Sequence, residues 1–321
     1  MNLKKLKWKR LLLICFSSFV ILYIVSGLIF YHVALNANNT HSRSVGEKQY
    51  VPSPSISTEL EQQQHLLDQA FLQQVLPTEI QIQSHDSLTL QGYEFLQAIP
   101  SNKWIFAVHG YTGSTRQMTR WNRQLYELGY NIFAVDLRGH GESDGDYYGM
   151  GWLDQPDLRQ WIELLINRYP SAEISLYGVS MGASAVLNLS GDALPSQVKS
   201  IVADSAYTSV DDIFSTQLQS VLHLPRFPIM HAANTIAKLR IQLDFKEAST
   251  QKRVQSATLP ILIIHGEADT FVPVKNAYTL SKAISSAHQL WIVPDANHAD
   301  AVKIDPLSYR NYIDKFINSY H

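Results

Sequence analysis

A serine held between two glycines is the feature of this sequence that most directly suggests catalysis. Ser180 lies in the stretch Gly178-Val-Ser-Met-Gly182, at the end of the apolar stretch 173–178 and before a run of small residues. This spacing is that of a G-x-S-x-G nucleophile elbow, a tight strand-to-helix turn that projects the serine hydroxyl. Because a neutral hydroxyl is a weak nucleophile, the chemistry also needs a base and an acid from elsewhere in the chain.

Candidates for both partners follow later in the sequence. His298, after the apolar stretch 289–294, is the candidate base, and Asp269, after the stretch 260–265, is the candidate acid that orients it. The resulting order Ser, Asp, His is the one expected for a nucleophile elbow. Asp204 ends an earlier apolar stretch and is a rival for the acid. The Gly-Glu-Ala-Asp context of Asp269 favours Asp269.

These residues can act together only if the fold brings them to one place, and the pattern from about Thr78 onward predicts such a fold. Apolar stretches typical of strands alternate with stretches at helical spacing, which favours an open, mostly parallel eight-stranded sheet with helices on both faces. In such a sheet, ligands bind at the carboxyl ends of the strands, where the three candidates lie. The predicted strands cover 79–84, 87–96, 103–109, 131–136, 173–178, 198–204, 260–265 and 289–294.

One segment interrupts this alternation. Between Asp204 and Leu259 the sequence shows no clear strand, while 211–222 and 229–239 have helical spacing. A compact domain rarely keeps a structureless loop of this length. We therefore expect a small helical cap at about 205–258, inserted after the strand that ends at Asp204.

The amino-terminal segment predicts a membrane anchor. Residues 1–10 carry five Lys or Arg residues, and residues 11–35 contain no charged residue. As a helix, about 25 residues span about 37 Å, enough to cross a hydrocarbon core about 30 Å thick. The run is longer than the apolar core of a cleavable signal peptide. We expect a single-pass anchor in the cell membrane, with the basic segment in the cytoplasm and the catalytic domain outside.

The segment between this anchor and the catalytic domain is polar and contains Pro52 and Pro54. It shows no apolar periodicity, which is typical of a flexible linker. The sequence thus predicts a flexible stalk at 36–58 and a domain at 59–321 that opens with a short helix.

Taken together, these residues make the sequence resemble the α/β-hydrolase superfamily. Within it, the sequence is most similar to bacterial hydrolases of the serine aminopeptidase and prolyl-oligopeptidase-like branch, some of which carry an amino-terminal anchor. The motifs responsible run in order from about Glu79 to the carboxyl end. They are His109-Gly-Tyr111, Asp136-Leu-Arg-Gly-His-Gly-Glu-Ser143, Gly178-Val-Ser-Met-Gly182, His265-Gly-Glu-Ala-Asp269 and His298.

The resemblance implies the α/β-hydrolase fold and an acyl-enzyme mechanism that needs no cofactor. It implies that Ser180 attacks a carbonyl, that His298 acts as base and then as acid, and that Asp269 orients His298. It also implies an oxyanion hole formed by the backbone N–H groups of Tyr111 and Met181. The substrate would be a small-molecule or peptide ester or amide. Esterase and peptidase activity both stay open, because this fold hosts many reactions.

Two further functions are compatible with the same sequence. One is transfer of the acyl group to an acceptor other than water, on the same triad. The other is a non-catalytic binding protein that retains the fold, against which the complete set of triad residues weighs. Dehalogenase chemistry is excluded, because it needs an aspartate where Ser180 stands.

Composition and spacing exclude several other classes of function. A net charge of -2 over 321 residues gives no reason to expect a nucleic-acid partner. The twelve histidines show no HExxH or comparable spacing, so no metal site is expected. His109 and His265, each next to a glycine, are interpreted as scaffold residues. Aromatic candidates for the substrate pocket are Tyr147, Tyr207 and Phe271.

Overall fold

The computed structural model describes residues 3–39, 52–220 and 223–320. Its eight strands are β1 (Thr78–Gln83), β2 (Thr89–Phe95), β3 (Lys103–Val108), β4 (Asn131–Val135), β5 (Glu173–Val179), β6 (Val198–Asp204), β7 (Ile261–Gly266) and β8 (His288–Val293). Its helices are α1 (Leu3–Ala34), α2 (Thr58–Gln74), α3 (Thr119–Tyr126), α4 (Gln155–Arg168), α5 (Met181–Leu189), α6 (Val210–Ser220), α7 (Arg226–Ile241), α8 (Thr250–Val254), α9 (Lys275–Ala283), α10 (Ala301–Ile304) and α11 (Pro306–Asn318), with a 3-10 turn at Thr115–Met118.

All eight strands form one sheet, in the order β1-β2-β4-β3-β5-β6-β7-β8. β2 is antiparallel to both of its neighbours, and every other pairing is parallel. The strands from β3 to β8 therefore end at the same edge of the sheet. This architecture confirms the predicted mostly parallel sheet, whose carboxyl edge is the expected place for a site.

Both faces of the sheet are covered, as strand β3 illustrates. Trp104, Phe106 and Val108 point into one apolar cluster, and the intervening Ile105 and Ala107 point into the other. This alternation follows from the two-residue period of a strand. Helices α4, α5 and α9 contribute side chains to the first cluster, and α3 and α11 contribute to the second. A strand buried on both faces must be nearly continuous in apolar residues, which is why β3 was recognisable in the sequence.

The predicted cap occupies the interval between β6 and β7. Helices α6, α7 and α8 lie there, with Leu218, Met230 and Ala233 buried in the first apolar cluster. The predicted helical stretch 211–222 ends at Ser220 in the structure, and its last two residues lie outside the described part of the chain.

Helix α1 is not separate from the domain. It is the one helix among the described residues that is long and apolar enough to cross a membrane, over Trp8–Ala34. At its carboxyl end Tyr31 is buried in the main apolar cluster. Leu35, just beyond the helix, is buried there too and accepts a 2.8 Å hydrogen bond from the backbone N–H of Tyr148. The domain therefore holds the end of α1 through packing and backbone hydrogen bonds.

The predicted stalk, 36–58, is described only at its ends, since 40–51 lie outside the described residues. At the first end, the backbone N–H of Ala37 donates to the carbonyl of Asp146 at 3.0 Å. At the second end, Ser53 is buried against Asp300. Both ends of the segment are thus attached to the domain.

Candidate functional site

Ser180 occupies a turn whose geometry requires small neighbours. It follows β5 and precedes α5, with φ 57° and ψ −116°, a left-handed backbone that is strained for a residue with a side chain. A Cβ on Gly178 would come within 2.2 Å of the carbonyl oxygen of Gly182. A Cβ on Gly182 would come as close to the carbonyl oxygen of Val108. These contacts give the physical reason for the two glycines that flank Ser180 at a distance of two residues.

The structure brings Ser180, His298 and Asp269 into one hydrogen-bonded chain. Ser180 Oγ lies 2.8 Å from His298 Nε2, and His298 Nδ1 lies 2.7 Å from Asp269 Oδ2. Asp269 Oδ1 accepts hydrogen bonds from the backbone N–H groups of Phe271 and Val272. The carboxylate is thereby fixed in the orientation that holds Nδ1 protonated and leaves Nε2 free to accept the serine proton.

Burial and charge act in opposite directions on this pair. For Asp269, burial favours the neutral acid, but the His298 ring and the nearby His265 outweigh it and hold the pKa of Asp269 below its usual range. For His298, burial disfavours the charged ring, yet the Asp269 carboxylate outweighs it and raises the pKa of His298 above 6.5. An imidazole with a raised pKa is a stronger base, which suits removal of a serine proton.

Asp204, the rival acid, is engaged elsewhere. Its carboxylate accepts hydrogen bonds from the hydroxyls of Tyr309 at 2.7 Å and Ser205 at 2.9 Å. Its backbone carbonyl accepts from the N–H of Ser180 at 2.7 Å. Burial raises the pKa of Asp204. Asp204 therefore stabilises the elbow through its backbone carbonyl. The carboxylate that is hydrogen-bonded to His298 is that of Asp269.

Tyr111 and Met181, the two residues predicted to form an oxyanion hole, both lie next to the elbow. Gly110 packs so closely on the elbow that a Cβ there would be 3.3 Å from Ser180 Cβ, and Tyr111 is the next residue. Met181 follows Ser180 and is the first residue of α5, whose N-terminus favours negative charge. The hydroxyl of Tyr111 donates to the carbonyl of Ala34 at 2.8 Å, which ties this loop to α1.

His109 serves the scaffold, in line with its interpretation from the sequence. The backbone N–H of Leu137 donates to His109 Nε2 at 3.0 Å, so Nε2 is unprotonated. Nδ1 therefore carries the proton and donates to the carbonyl of Gly110 at 2.7 Å. Burial lowers the pKa of His109, which keeps the ring neutral. The ring links the loops after β3 and β4 and fixes the turn that precedes Tyr111.

The three aromatic pocket candidates have different surroundings. The ring of Phe271 lies 4.8 Å from that of His298, beside the triad. The hydroxyl of Tyr207 is buried and donates to the carbonyl of Met150 at 2.7 Å. The hydroxyl of Tyr147 accepts from Arg138 at 2.9 Å. Of the three, Phe271 contacts the His298 ring, and the hydroxyls of Tyr147 and Tyr207 are hydrogen-bonded within the protein.

Ser53, which sequence reasoning missed, is attached to the loop that carries His298. Its hydroxyl donates to Asp300 Oδ2 at 2.8 Å and accepts from the backbone N–H of Asn297 at 2.7 Å. Asn297 and Asp300 lie on either side of His298 in the sequence. A serine within a polar, proline-containing segment gives no signal of such a contact. Ser53 is therefore a candidate positioning residue for His298.

Replacing Ser53 by alanine tests this role. The change removes the hydrogen bond that Ser53 donates to Asp300 and the one that it accepts from Asn297, so we expect the loop that carries His298 to be held less firmly. We expect kcat to fall about threefold to tenfold with KM little changed, because misplacing His298 affects the chemical step. Steady-state kinetics with a soluble ester measure this. The control is Ser55→Ala, at an exposed serine two residues away. Equal kcat values for the two variants would contradict the role of Ser53.

Comparison with known proteins agrees with this geometry. Residues 100–227 match the model of a family described as serine aminopeptidase, S33. The uncharacterized protein YqkD of Bacillus subtilis is 23% identical over 309 residues, which cover 96% of this chain and 97% of that protein. The lysophosphatidylserine lipase ABHD12 of Danio rerio is 26% identical over 206 residues, covering 60% of this chain and 52% of the lipase.

Solved structures share the fold at low sequence identity. A Pyrococcus furiosus esterase aligns over 77% of this chain and 92% of its own length, with a TM-score of 0.64 and 23% identity. The acylaminoacyl peptidase of Pyrococcus horikoshii aligns over 78% of this chain and 43% of its own, with a TM-score of 0.56 and 16% identity. The sheet and the elbow described above are therefore those of an α/β-hydrolase fold.

Proposed function

We propose that this protein is a membrane-anchored serine hydrolase that cleaves an ester or an amide through an acyl-enzyme. The observation that carries the proposal is the chain of short hydrogen bonds from Ser180 to His298 to Asp269, at 2.8 and 2.7 Å. The names of the esterase, peptidase and lipase similar to this chain support the same class of reaction. A folded triad also weighs against a protein that only binds ligands.

The first half of the proposed reaction forms the acyl-enzyme. His298 Nε2 takes the proton from Ser180 Oγ as the oxygen attacks the substrate carbonyl carbon. The N–H groups of Tyr111 and Met181 stabilise the negative charge that develops on the carbonyl oxygen, and one such donor is typically worth about 2.7–4 kcal/mol. His298 then gives its proton to the leaving alcohol or amine as the bond to it breaks. Asp269 stays ionised and stabilises the protonated ring.

The second half releases the acid. Water enters in place of the leaving group and attacks the acyl carbonyl carbon as His298 Nε2 removes one of its protons. The tetrahedral intermediate then collapses with cleavage of the bond to Ser180 Oγ, and His298 gives its proton to that oxygen. If an alcohol or amine took the place of water, the same residues would transfer the acyl group to that acceptor. Analysis of products with and without added acceptors separates hydrolysis from transfer.

The anchor forms the second part of the proposal. Helix α1 exposes an unbroken series of large apolar side chains from Leu11 to Ile14, and again at Phe16, Ile21 and Leu22. Lys9 and Arg10 precede this series, so the positive-inside tendency places the amino terminus in the cytoplasm and the catalytic domain on the other side. Protease treatment of intact cells tests this orientation, since it should digest the catalytic domain.

A substrate panel tests the proposed reaction. Full-length protein in detergent is incubated with p-nitrophenyl esters of short and long acyl chains and with aminoacyl and prolyl amides. We expect saturable hydrolysis of at least one series that disappears in Ser180→Ala. Turnover of every substrate at the rate of the Ser180→Ala protein would contradict a hydrolase.

The pH dependence of the reaction follows from the raised pKa of His298. The base must be neutral to accept the serine proton, so activity is present above this pKa and is lost as the pH falls through it. We expect kcat/KM for a neutral ester to decrease about tenfold per pH unit on the acid side, with a midpoint above 6.5. In Asp269→Asn the cause of the raised pKa is removed, so the midpoint should move to lower pH. An unchanged midpoint in that variant would contradict the assigned pair.

A further inference from the structure

Helix α1 meets the cap before it has crossed a bilayer. The hydroxyl of Tyr23 lies 3.0 Å from the hydroxyl of Thr235 on α7. Four residues later, Gly27 packs so closely on α7 that a Cβ there would be 2.6 Å from the carbonyl oxygen of Ala232. Arg240 lies over the ring of Tyr31, 5.2 Å from its centre. From Tyr23 onward, one face of α1 is thus covered by α7.

The length of α1 that stands free of the domain is too short to span a membrane. The uncharged segment begins at Leu11, and Leu11 to Leu22 comprises about 12 residues, or about 18 Å of helix. A hydrocarbon core about 30 Å thick needs about 20 residues. If α1 crosses the bilayer, the segment from Tyr23 to about Phe30 must also lie within it. The part of α7 that covers this segment must then lie at the membrane as well.

The exposed surface of α1 is consistent with the segment from Tyr23 to about Phe30 lying within the bilayer. Beyond Tyr23, its side chains that face away from the cap remain apolar and exposed as far as Val33. These are Ile24, Val25, Leu28, Ile29 and Val33. Exposed apolar surface of this extent on a helix marks a contact with lipid or with another apolar surface. The apolar face therefore continues past the point where α7 begins to cover α1.

Helix α7 carries an exposed apolar series next to α1. The side chain of Phe227 is 64% exposed and packs on the ring of His231, and that of Leu239 is 77% exposed. His231, Thr235 and Leu239 are four residues apart and therefore share one face. Thr235 on this face is the residue that contacts Tyr23. Leu224, 42% exposed, adds to it just before the helix. We call this surface the cap face.

The charges near the cap face suit a membrane surface. From His223 to Leu243 the sequence contains Arg226, Lys238 and Arg240 and no Asp or Glu. Arg226 and Lys238 form ion pairs with Asp211 and Asp244, and Arg240 lies over the ring of Tyr31. A helix that exposes apolar residues and whose own charges are all basic is compatible with the interface of a bilayer with anionic lipids.

We propose that the cap face lies on the same bilayer that α1 crosses, and that the enzyme acts on acyl esters held in that bilayer. The proposal rests on the membrane anchor and the hydrolase activity proposed above. The occupant of the cap face is the membrane, because the cap face is continuous with α1 and the part of α1 before Tyr23 is too short to cross a bilayer without the part that α7 covers.

The proposed catalytic residues lie close to the part of the protein formed by α1 and the cap. The ring of Phe30 on α1 contacts that of Phe214 on α6, with centres 5.1 Å apart. Gln217 on α6 donates to the carbonyl of Phe271 at 2.6 Å, and Phe271 lies against His298. These contacts connect α1 through α6 to Phe271, the residue that lies against His298, so the proposed membrane contact and the candidate site belong to one packed region.

Depth measurements on the full-length protein test the position of the cap face. In a Cys15→Ser background, single cysteines at Phe227 and Leu239 carry an environment-sensitive fluorophore, in nanodiscs of phosphatidylcholine and phosphatidylglycerol. Ile21→Cys, on the free part of α1, is the membrane control, and Leu307→Cys, exposed on α11, is the water control. We expect brominated lipids to quench the labels at 21, 227 and 239 and to leave the label at 307 unquenched.

Other patterns of quenching overturn the proposal in distinguishable ways. Quenching at 21 alone would show that the anchor exists and that the cap face lies in water or on another protein. No quenching at 21 would remove the anchor on which the proposal rests. The hydrolase proposal is tested separately, by turnover of a soluble ester in the same samples.

Kinetics of a double variant test the substrate class. Phe227→Asp with Leu239→Asp is compared with Leu307→Asp, using a long-chain ester embedded in vesicles and a short-chain soluble ester. We expect the ratio of embedded to soluble turnover to fall at least about tenfold in the double variant and to stay unchanged in the control. Unchanged soluble turnover shows that the fold is intact. An unchanged ratio would overturn delivery from the membrane.

Discussion

Replacing Ser180 by alanine is expected to lower kcat/KM by about 10⁴- to 10⁶-fold, because the change removes the oxygen that forms the acyl-enzyme. The free energy of unfolding should stay within about 0.5 kcal/mol of the parent value, since alanine fits the same turn and the removed oxygen bonds only to the partly exposed His298 among the contacts described. Activity on the best ester of the panel, together with thermal unfolding, measures both quantities.

The same variant should no longer react with a fluorophosphonate probe. Ser196→Ala, at an exposed serine, is the matched control and should react at the parent rate. Reaction of the Ser180→Ala protein at the parent rate would show that another residue is the nucleophile. If the Ser180→Ala protein neither reacts nor folds, Ser180→Cys serves as a second variant. It keeps a nucleophile in the turn, and its reaction with the probe is compared with that of the parent protein.

Replacing Asp269 by asparagine is expected to lower kcat by about 10⁴-fold, because the amide no longer holds His298 in the tautomer that accepts the serine proton. Asp204→Asn should lower kcat by less than about tenfold, since Asp204 bonds to Tyr309 and Ser205 and not directly to the ring. Both variants replace a buried aspartate by asparagine, so any difference between their kcat values reflects which of the two aspartates acts on His298.

Kinetics with a soluble ester at a pH well above the His298 pKa measure this difference. Circular dichroism of both variants checks the fold, because both carboxylates are buried. If Asp204→Asn lost as much activity as Asp269→Asn, the acid would have to be reassigned or shared between the two residues.

The residues of the proposed triad could be predicted from the sequence because each follows a strand with a strong pattern. Buried parallel strands such as β5 and β7 are apolar on both faces and stand out as short apolar runs. Parallel strands end at one edge, so residues far apart in the sequence, such as Ser180 and His298, are expected to meet there. The glycines around Ser180 carry the remaining information, since their spacing reflects a close backbone approach.

The contacts of α1 with the domain could not be predicted in the same way. A long apolar segment predicts a membrane helix from its length alone, and nothing in its composition shows that Gly27 packs on α7 or that Tyr111 bonds to Ala34. Such contacts depend on how two helices meet in three dimensions. Ser53 illustrates the same limit for a polar residue, because a hydroxyl shows its partners only when the fold is known.

The direction in which the aromatic side chains point could not be predicted from the sequence either. Tyr207 and Phe271 both follow strands near the site, so both were reasonable pocket candidates. The fold turns Phe271 toward His298 and uses the hydroxyl of Tyr207 for the carbonyl of Met150. Side-chain direction after a strand depends on the loop, which the two-residue pattern of the strand does not determine.

The measurement that tests the central claim most directly is the capture of the acyl-enzyme. Full-length protein is mixed with a p-nitrophenyl ester, quenched in acid within the first turnover, digested and analysed by mass spectrometry. The mechanism predicts one acyl group per protein, on the Ser180 hydroxyl, and its accumulation in a burst together with p-nitrophenol. Full turnover with no acyl group on Ser180 at any time, or with the acyl group on another residue, would contradict the mechanism.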